Sequence, residues 1–302
     1  MRTLIRLCSA LLLTLPLGIA QAQPGEANRP LTIIVSTTQG TGGDIAARVL
    51  ASSLQKALGQ PVVLENRAGA SGAIGIAAAA KAPPDGNTVL FVPNTIAMIG
   101  AVKKNLPFDA TTSFKPVATI GKMLVAAVVN PGVRANTLGQ FLELARNSPG
   151  QLSYGSPGSG APHHLRAEQF KQITGADMLH VPYSGSAGAV TDLAGGQTQF
   201  GFFSLHSVLP LVCSGKTRSA LTADVPTFRE GRITELNNYD WIGAFVPSGT
   251  LRARIDALSQ AILAGLANPK VREQLIARGI VPNPGGPAEL AALMSKELVE
   301  WK

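Results

Sequence analysis

The sequence predicts an α/β protein of two domains, each built on a mainly parallel sheet flanked by helices. Segments with strand and helix patterns alternate along the chain, which is the order that makes parallel sheets. Glycine- and serine-rich loops join the strand ends to the helix starts. About 280 residues follow an N-terminal segment of export type, enough for two domains with a core each.

The N-terminal segment has the pattern of a signal peptide. Arg2 precedes an apolar run over residues 7–20, and Ala22 completes a small-x-small cleavage pattern. We therefore predict a signal peptide over residues 1–22, cleavage after Ala22 and a periplasmic location. An uncleaved membrane anchor is the weaker alternative, because Pro16 interrupts a run that is already short for a membrane span.

The composition argues against several classes of function. The chain has 26 Lys and Arg against 18 Asp and Glu, but the basic residues are scattered and aromatic residues make up 5%, so nucleic-acid binding is not expected. Cys213 is the one cysteine after the signal peptide, so we expect no internal disulfide. The histidines have no zinc-like spacing, and we predict neither a metal nor a cofactor.

The first part of the chain is predicted to form a parallel sheet. The helix after the first strand has apolar residues on one face and ends at Gly59. An alanine-rich helix follows the second strand, and a Pro-Pro-Asp-Gly turn precedes the third. The predicted strands are 31–35, 61–65 and 88–92, and the predicted helices are 44–58 and 72–80.

A second set of elements follows, and its last strand is predicted to return to the first domain. The predicted strands are 123–129, 152–155, 178–181, 200–203 and 241–246. The predicted helices are 137–146, 162–173, 187–194, 251–267, 269–278 and 287–300. Residues 282–287 are expected to form a loop that separates the last two helices. Domain 1 therefore covers residues 31–121 and 239–302, and domain 2 covers residues 122–238. Two chain crossings between the domains predict a hinge and a cleft.

Three polar loops, at residues 36–44, 155–162 and 182–187, carry the functional prediction. Each lies between a strand end and a helix start, at the edge of an open α/β sheet where ligands bind. A helix N-terminus offers unpaired N–H groups and a partial positive charge, so such loops can bind an anion without Arg or Lys. We therefore predict a small-anion site in the cleft. For Asp44, interaction with the helix dipole alone is the alternative role.

The usual sequence patterns of enzymes do not occur. The chain has no nucleophile-elbow or dinucleotide-binding motif, and Cys213 has no base near it in sequence. His180 lies in an apolar strand and is predicted to be a core residue, whereas His163 or His164, at a helix start beside a Gly/Ser loop, is a candidate for the cleft wall. We predict binding without chemistry, and a hydrolase or transferase is the weakest alternative.

Short motifs follow one another in a specific order along the chain. They include Gly-Gly-Asp-Ile-Ala-Ala-Arg at 42–48, Leu-Gly-Gln-Pro-Val-Val-Leu-Glu-Asn-Arg at 58–67, Pro-Asp-Gly at 84–86, Leu-Pro-Phe-Asp at 106–109, Tyr-Gly-Ser at 154–156, His-Val-Pro-Tyr at 180–183, Gly-Gly-Gln at 195–197 and Asp-Val-Pro-Thr at 224–227. With these motifs the chain resembles the Bug family, the periplasmic receptors of tripartite tricarboxylate transporters. The resemblance covers nearly all of the chain after the signal peptide.

The resemblance implies a Venus-flytrap fold that closes on a small carboxylate, membrane permease subunits as partners, and a monomer. Bug receptors grip the ligand with the loop before the first helix and with loops of the second domain. Carried over to this chain, the candidate ligand-binding residues are Thr37, Gly40, Gly42, Gly43, Asp44, Ser156, Ser159, Gly160, Ala161, His163, Tyr183, Ser186 and Ser204.

This chain departs from the Bug pattern at three places in the site. Residues 36–39 stand where an aromatic residue and prolines are usual, Gly43 replaces a hydroxyl residue, and Ser204 replaces an Asp. These departures leave the identity of the carboxylate open. Two other functions also stay open: a solute sensor for a signalling partner, and a degenerate relative that no longer binds.

Overall fold

The computed structural model describes residues 29–219 and 239–301. The strands are β1 Leu31–Val35, β2 Val62–Asn66, β3 Thr88–Pro93, β4 Phe114–Val129, β5 Leu152–Ser156, β6 Met178–Pro182, β7 Phe200–Ser204, β8 Arg218–Ser219, β9 Tyr239–Pro247 and β10 Ile280–Gly285. The helices are α1 Gly42–Leu58, α2 Ala73–Ala80, α3 Thr95–Val102, α4 Leu138–Asn147, α5 Pro162–Thr174, α6 Ser186–Ala194, α7 Leu205–Cys213, α8 Arg252–Ala267, α9 Pro269–Ile276 and α10 Pro287–Glu300. The predicted signal peptide lies outside the described residues.

Two sheets share one long strand. The strands lie in the order β2-β1-β3-β9-β4-β7-β5-β6, and β10 and β8 also pair with β4. The first part of β4 pairs with β9 as far as Leu124, and the last part, from Val125, pairs with β7. The chain therefore passes from one sheet to the other inside a single strand, and the fold has the two α/β lobes that the sequence predicts. The exact domain boundaries stay a prediction.

Each sheet is mixed. Strands β1, β2 and β3 are parallel, as are β5, β6 and β7, which agrees with the predicted parallel sheets. Strands β4 and β9 are antiparallel to their neighbours, and β8 and β10 pair antiparallel with β4. Strand β4 carries the chain out of the first lobe and β9 carries it back, so these two strands run in opposite directions.

Each lobe has its own core on both faces of its sheet. In the first lobe, Leu50 and Leu54 of α1 pack with α8 and α9 on one face, and Trp241 packs with α2, α3 and α10 on the other. The core of the second lobe includes several aromatic residues, and Phe170 and Phe200 stack with their ring centroids 5.3 Å apart. No helix within residues 29–219 and 239–301 has the length and apolar content needed to span a membrane.

The predicted elements are confirmed to within two residues at each end, except for β4, which begins earlier than predicted. The expectation of a loop over residues 282–287 is wrong, because β10 extends through Pro282 to Gly285. Strand β10 lies off the main strand order and pairs only with β4, with a register shift after Pro282. Prolines are tolerated at such an edge because a ladder hydrogen bond is not required at every residue.

Helices α3 and α7 were not predicted from the sequence. The segment of α3 is apolar on every side, so it shows no helical periodicity. Helix α7 contains Pro210, which argues against a helix when only the sequence is considered. Both helices border the cleft, through Thr95 and through His206 and Ser207, so their positions matter for the site.

A buried carboxyl group lies behind β9. Glu297 of α10 is 4% exposed, and Trp241 Nε1 donates a hydrogen bond of 2.7 Å to its Oε1 atom. Burial is the largest influence and raises the pKa of Glu297 to about 7, although the Trp241 hydrogen bond acts in the opposite direction. The folded protein therefore holds a proton on Glu297 between the usual pKa of a glutamate and neutral pH.

We expect Glu297→Gln to flatten the pH dependence of stability. The wild-type free energy of unfolding should fall as pH rises from about 4.5 to 7, because the unfolded carboxyl ionises first. The loss should be on the order of 1 to 3 kcal/mol. Urea unfolding at pH 5 and pH 8 measures it. Glu289→Gln, at an exposed site in the first turn of the same helix, is the matched control and should retain the wild-type slope. An unchanged slope in Glu297→Gln would contradict the assignment.

Candidate functional site

A cavity of about 600 Å³ lies between the two lobes. The three predicted loops contribute to its wall, together with a turn at residues 69–72 and the start of α7. Met123 of β4 and Asp240 of β9, which are paired in register, form the part of the wall contributed by the crossing strands. The cavity thus has walls from both lobes and from the strands that join them.

Ten of the thirteen candidate residues lie on the cavity wall. They are Thr37, Gly40, Gly42, Gly43, Ser159, Ala161, His163, Tyr183, Ser186 and Ser204. Asp44, Ser156 and Gly160 adjoin the wall without forming part of it. The Tyr183 hydroxyl donates a hydrogen bond of 2.7 Å to Asp192. Burial and this bond raise the pKa of Tyr183 to about 12, so the hydroxyl stays protonated at neutral pH.

Asp44 holds the first loop in place from behind the wall. Its carboxylate accepts hydrogen bonds from the Gly40 N–H at 2.9 Å and from Asn66 Nδ2 at 3.0 Å, and its Oδ1 lies 2.9 Å from Arg48 Nη2. Burial raises the pKa of Asp44, but these partners together outweigh it and hold the pKa below its ordinary value. Asp44 is therefore a charged anchor for the loop, in addition to any dipole interaction.

Ser156 supports the second loop in a similar way. The residue is fully buried, and its Oγ lies 2.6 Å from His180 Nε2 and accepts from the Gly158 N–H at 3.2 Å. His180 is half-buried on the edge strand β6, so its prediction as a core residue is wrong. Burial and the nearby His164 lower the pKa of His180 to about 4. The Gly160 N–H donates to His164 Nδ1 at 3.1 Å, so these two neutral imidazoles help to shape the loop.

Six helices of the described residues begin at the cavity. They are α1, α2, α3, α5, α6 and α7, and their first residues, Gly42, Ala73, Thr95, Pro162, Ser186 and Leu205, are each on the cavity wall or next to a wall residue. Free N–H groups and the partial positive charge of each helix dipole therefore meet in one space. The wall has little fixed positive charge otherwise, since Lys103 is the only Lys or Arg among its described residues. This arrangement favours a small anion over a cation.

The turn at residues 69–72, which was not predicted from the sequence, forms part of the cavity wall on the side of the first lobe. Ala70 and Ser71 have left-handed backbones, with φ of 49° and 59°, between Gly69 and Gly72. Ser71 Oγ donates a hydrogen bond of 2.7 Å to the Ser159 carbonyl of the second lobe, and Lys103 Nζ donates one of 2.8 Å to the Ala70 carbonyl. The Gly-Ala-Ser-Gly spacing was the available signal, because paired glycines favour such a turn.

A buried charge cluster joins α5 to β9. Asp240 Oδ2 lies 3.0 Å from His163 Nε2, and Asp240 Oδ1 lies 2.9 Å from Arg166 Nη2. All three residues are at least nine-tenths buried. Burial raises the pKa of Asp240, but Arg166 and His163 outweigh it and hold the pKa well below its usual range. No group of three or more metal-ligating side chains occurs in the described part of the chain.

Residues 46–302 match the family described as "Tripartite tricarboxylate transporter family receptor". The chain belongs to this family. The resemblance to the Bug receptors is thereby confirmed, and the receptors of this family are periplasmic binding proteins. The protein is a solute-binding receptor of the same kind.

Relatives of the receptor share its length and its fold. BugT of Bordetella pertussis is 32% identical over 284 residues, 90% of this chain and 87% of BugT. Rpa4515 of R. palustris, solved with adipate, is 28% identical to this chain in sequence, and the two structures superpose with a TM-score of 0.84. The match covers 92% of this chain and 96% of the Rpa4515 chain. MatC from Rhodopseudomonas palustris, solved with bound malate, is 26% identical to this chain in sequence, with a TM-score of 0.83. The match covers 90% of this chain and 97% of the MatC chain.

We expect Asp44→Ala to destabilise the receptor by about 1 to 3 kcal/mol, because the Gly40 N–H and the Asn66 amide lose hydrogen bonds to a charged and buried carboxylate. Urea unfolding measures the change. Asp256→Ala is the matched control: it also removes an i,i+4 Arg partner on a helix, but the Arg252–Asp256 pair is exposed and should contribute less than about 0.5 kcal/mol. Equal effects of the two substitutions would show that Asp44 does not anchor the loop.

Proposed function

We propose that the receptor captures a small carboxylate in the cleft between its lobes and presents it to the permease of a tripartite tricarboxylate-type transporter. The observation that carries the proposal is the convergence of six helix N-termini on one cavity. Carboxylates are stabilised at helix N-termini by free N–H groups and by the helix dipole. The carboxylates adipate and malate in the two related structures support the same class of ligand.

The wall offers hydrogen-bond donors in addition to the helix ends. Hydroxyl groups of Thr37, Ser159, Ser186 and Ser204 belong to wall residues, and the Ser36 hydroxyl is buried with no hydrogen-bond partner among the described residues. Buried hydroxyls without partners are uncommon in folded proteins, because each unmade hydrogen bond costs free energy. These donors fit a ligand with several oxygen atoms, as carboxylates and hydroxy acids have.

The contacts between the lobes fit a receptor that closes on its ligand. Ser71 bonds to Ser159 across the cleft, and a Cβ atom on Gly160 would lie 3.3 Å from Val102 of the first lobe. We propose that domain 1, residues 31–121 and 239–302, and domain 2, residues 122–238, move about the crossing strands. The closed form would then be the form that the permease recognises.

We propose that the ligand undergoes no reaction in the cleft. Ser156 and His180 lie within hydrogen-bond distance, as a nucleophile and its base would. Ser156 is nevertheless fully buried behind the cavity wall, so its hydroxyl does not meet the ligand. Its contacts are those of a residue that shapes the loop, and they support binding without catalysis.

We expect the chain from residue 23 to 302 to be stabilised by a class of small carboxylates. A ligand that binds only the folded state should add about 2.7 kcal/mol at one hundred times its dissociation constant. Thermal unfolding with malate, succinate, adipate and citrate measures the effect. The matched control is the amide of each acid, which keeps the shape and loses the charge, and it should leave Tm unchanged. If no acid raised Tm in a well-folded sample, the proposed ligand class would be excluded.

We also propose export with cleavage after Ala22. Expression of the full chain in a bacterium should give periplasmic protein whose first residue is Gln23, since Ala22 ends the small-x-small pattern. The intact mass of the purified protein measures the position of the cut. Replacing Ala20 and Ala22 by Arg should leave the precursor uncut. A periplasmic product that retained residues 1–22 would contradict the proposal.

A further inference from the structure

Two histidines lie on the same part of the cavity wall. His163 is in the first turn of α5, and His206 is in the first turn of α7. His163 is 8% exposed, and its Nδ1 atom has no hydrogen-bond partner among the described residues, nor has Nδ1 of His206. Each histidine therefore lines a cavity where we propose that a carboxylate binds, and each ring has a buried nitrogen that is unpaired within the described structure.

The charges behind this histidine pair nearly cancel. Asp240 of β9 contacts both His163 and Arg166 of α5, and one carboxylate against one guanidinium leaves no net charge. Glu297 of α10 interacts with Asp240 and Arg166, and its pKa of about 7 keeps much of it neutral near pH 7. A second carboxylate placed here would thus meet no fixed positive charge unless a histidine takes up a proton.

His206 is held in its neutral form by its surroundings. Burial lowers the pKa of His206 most, and repulsion from His163 lowers it further, while a hydrogen bond with the Gly40 backbone acts in the opposite direction. A positive charge at the N-terminus of α7 is also unfavourable because of the helix dipole. An anion beside the pair would oppose these effects, because it would attract the protonated imidazole.

We propose that His163 and His206 form a proton-linked subsite that binds the second acid group of a dicarboxylate, so that the receptor takes up one proton with its ligand. In this arrangement, Asp240 orients His163 through Nε2, and Nδ1 of each ring faces the ligand. The inference rests on the proposed function, because it requires a carboxylate in the cleft. Proton uptake makes affinity fall as pH rises, by at most about tenfold per pH unit for one proton.

Calorimetric titration of the wild-type receptor tests this directly. Malate and adipate are titrated at pH 7 in buffers with different ionisation enthalpies, and the slope of heat against buffer enthalpy gives the protons taken up. Both acid groups of each ligand are ionised at this pH, since carboxyl groups titrate near pH 4, so any proton goes to the protein. We expect an uptake of up to one proton per ligand, and an affinity that falls between pH 6.5 and 8.

Two variants locate the proton. His206→Gln should still bind the acid, more weakly, with no proton uptake and with little dependence of affinity on pH. Glu273→Gln, at an exposed residue of α9 outside the cavity wall, should retain the wild-type uptake for each ligand bound. Binding to the wild type without proton uptake, or wild-type uptake by His206→Gln, would overturn this inference alone. If neither acid bound to the folded wild type, the inference would be overturned together with the proposed dicarboxylate class.

Discussion

The architecture depends on one continuous strand that belongs to two sheets. Strand β4 runs for 16 residues, and it pairs with β9 in the first lobe and with β7 in the second. Because backbone hydrogen bonds hold β4 and β9 together along the crossing, the cleft has a wall whose position does not depend on the loops. Met123 and Asp240 stand on this wall, so the charge of Asp240 is held at the point where the lobes meet.

The rest of the site follows from the connections between strands and helices. In each lobe the parallel strands end toward the cleft, and the helices that follow them begin there, which brings six helix N-termini into one cavity. Positive potential is thereby supplied by the backbone rather than by side chains. The residues just behind the wall, Asp44 and Ser156, have their polar atoms committed to the loops. The groups that can contact a ligand are thus different from the groups that hold the loops in position.

Local patterns were sufficient to predict most of the fold and the three loops of the site. Helix α1, for example, ends at Gly59 in a left-handed backbone, as the sequence predicts. The features that were not predicted depend on contacts between segments that are far apart in the sequence. Asp240 carries no local signal, since its partner Arg166 is 74 residues away in sequence. The same holds for Ser71, whose role depends on Ser159 in the other lobe, and for His180, whose exposure follows from the position of β6 at the sheet edge.

The left-handed backbone of Ala70 and Ser71 has a consequence for the timing of release. Non-glycine residues in this conformation are less stable by about 1 to 2 kcal/mol each. The turn keeps this shape while Lys103 holds the Ala70 carbonyl and Ser71 holds Ser159. In the domain movement proposed above, separation of the lobes would break the Ser71 contact and let the turn relax, which would return part of the energy needed for opening. The turn that closes over the ligand would then also shorten its residence time.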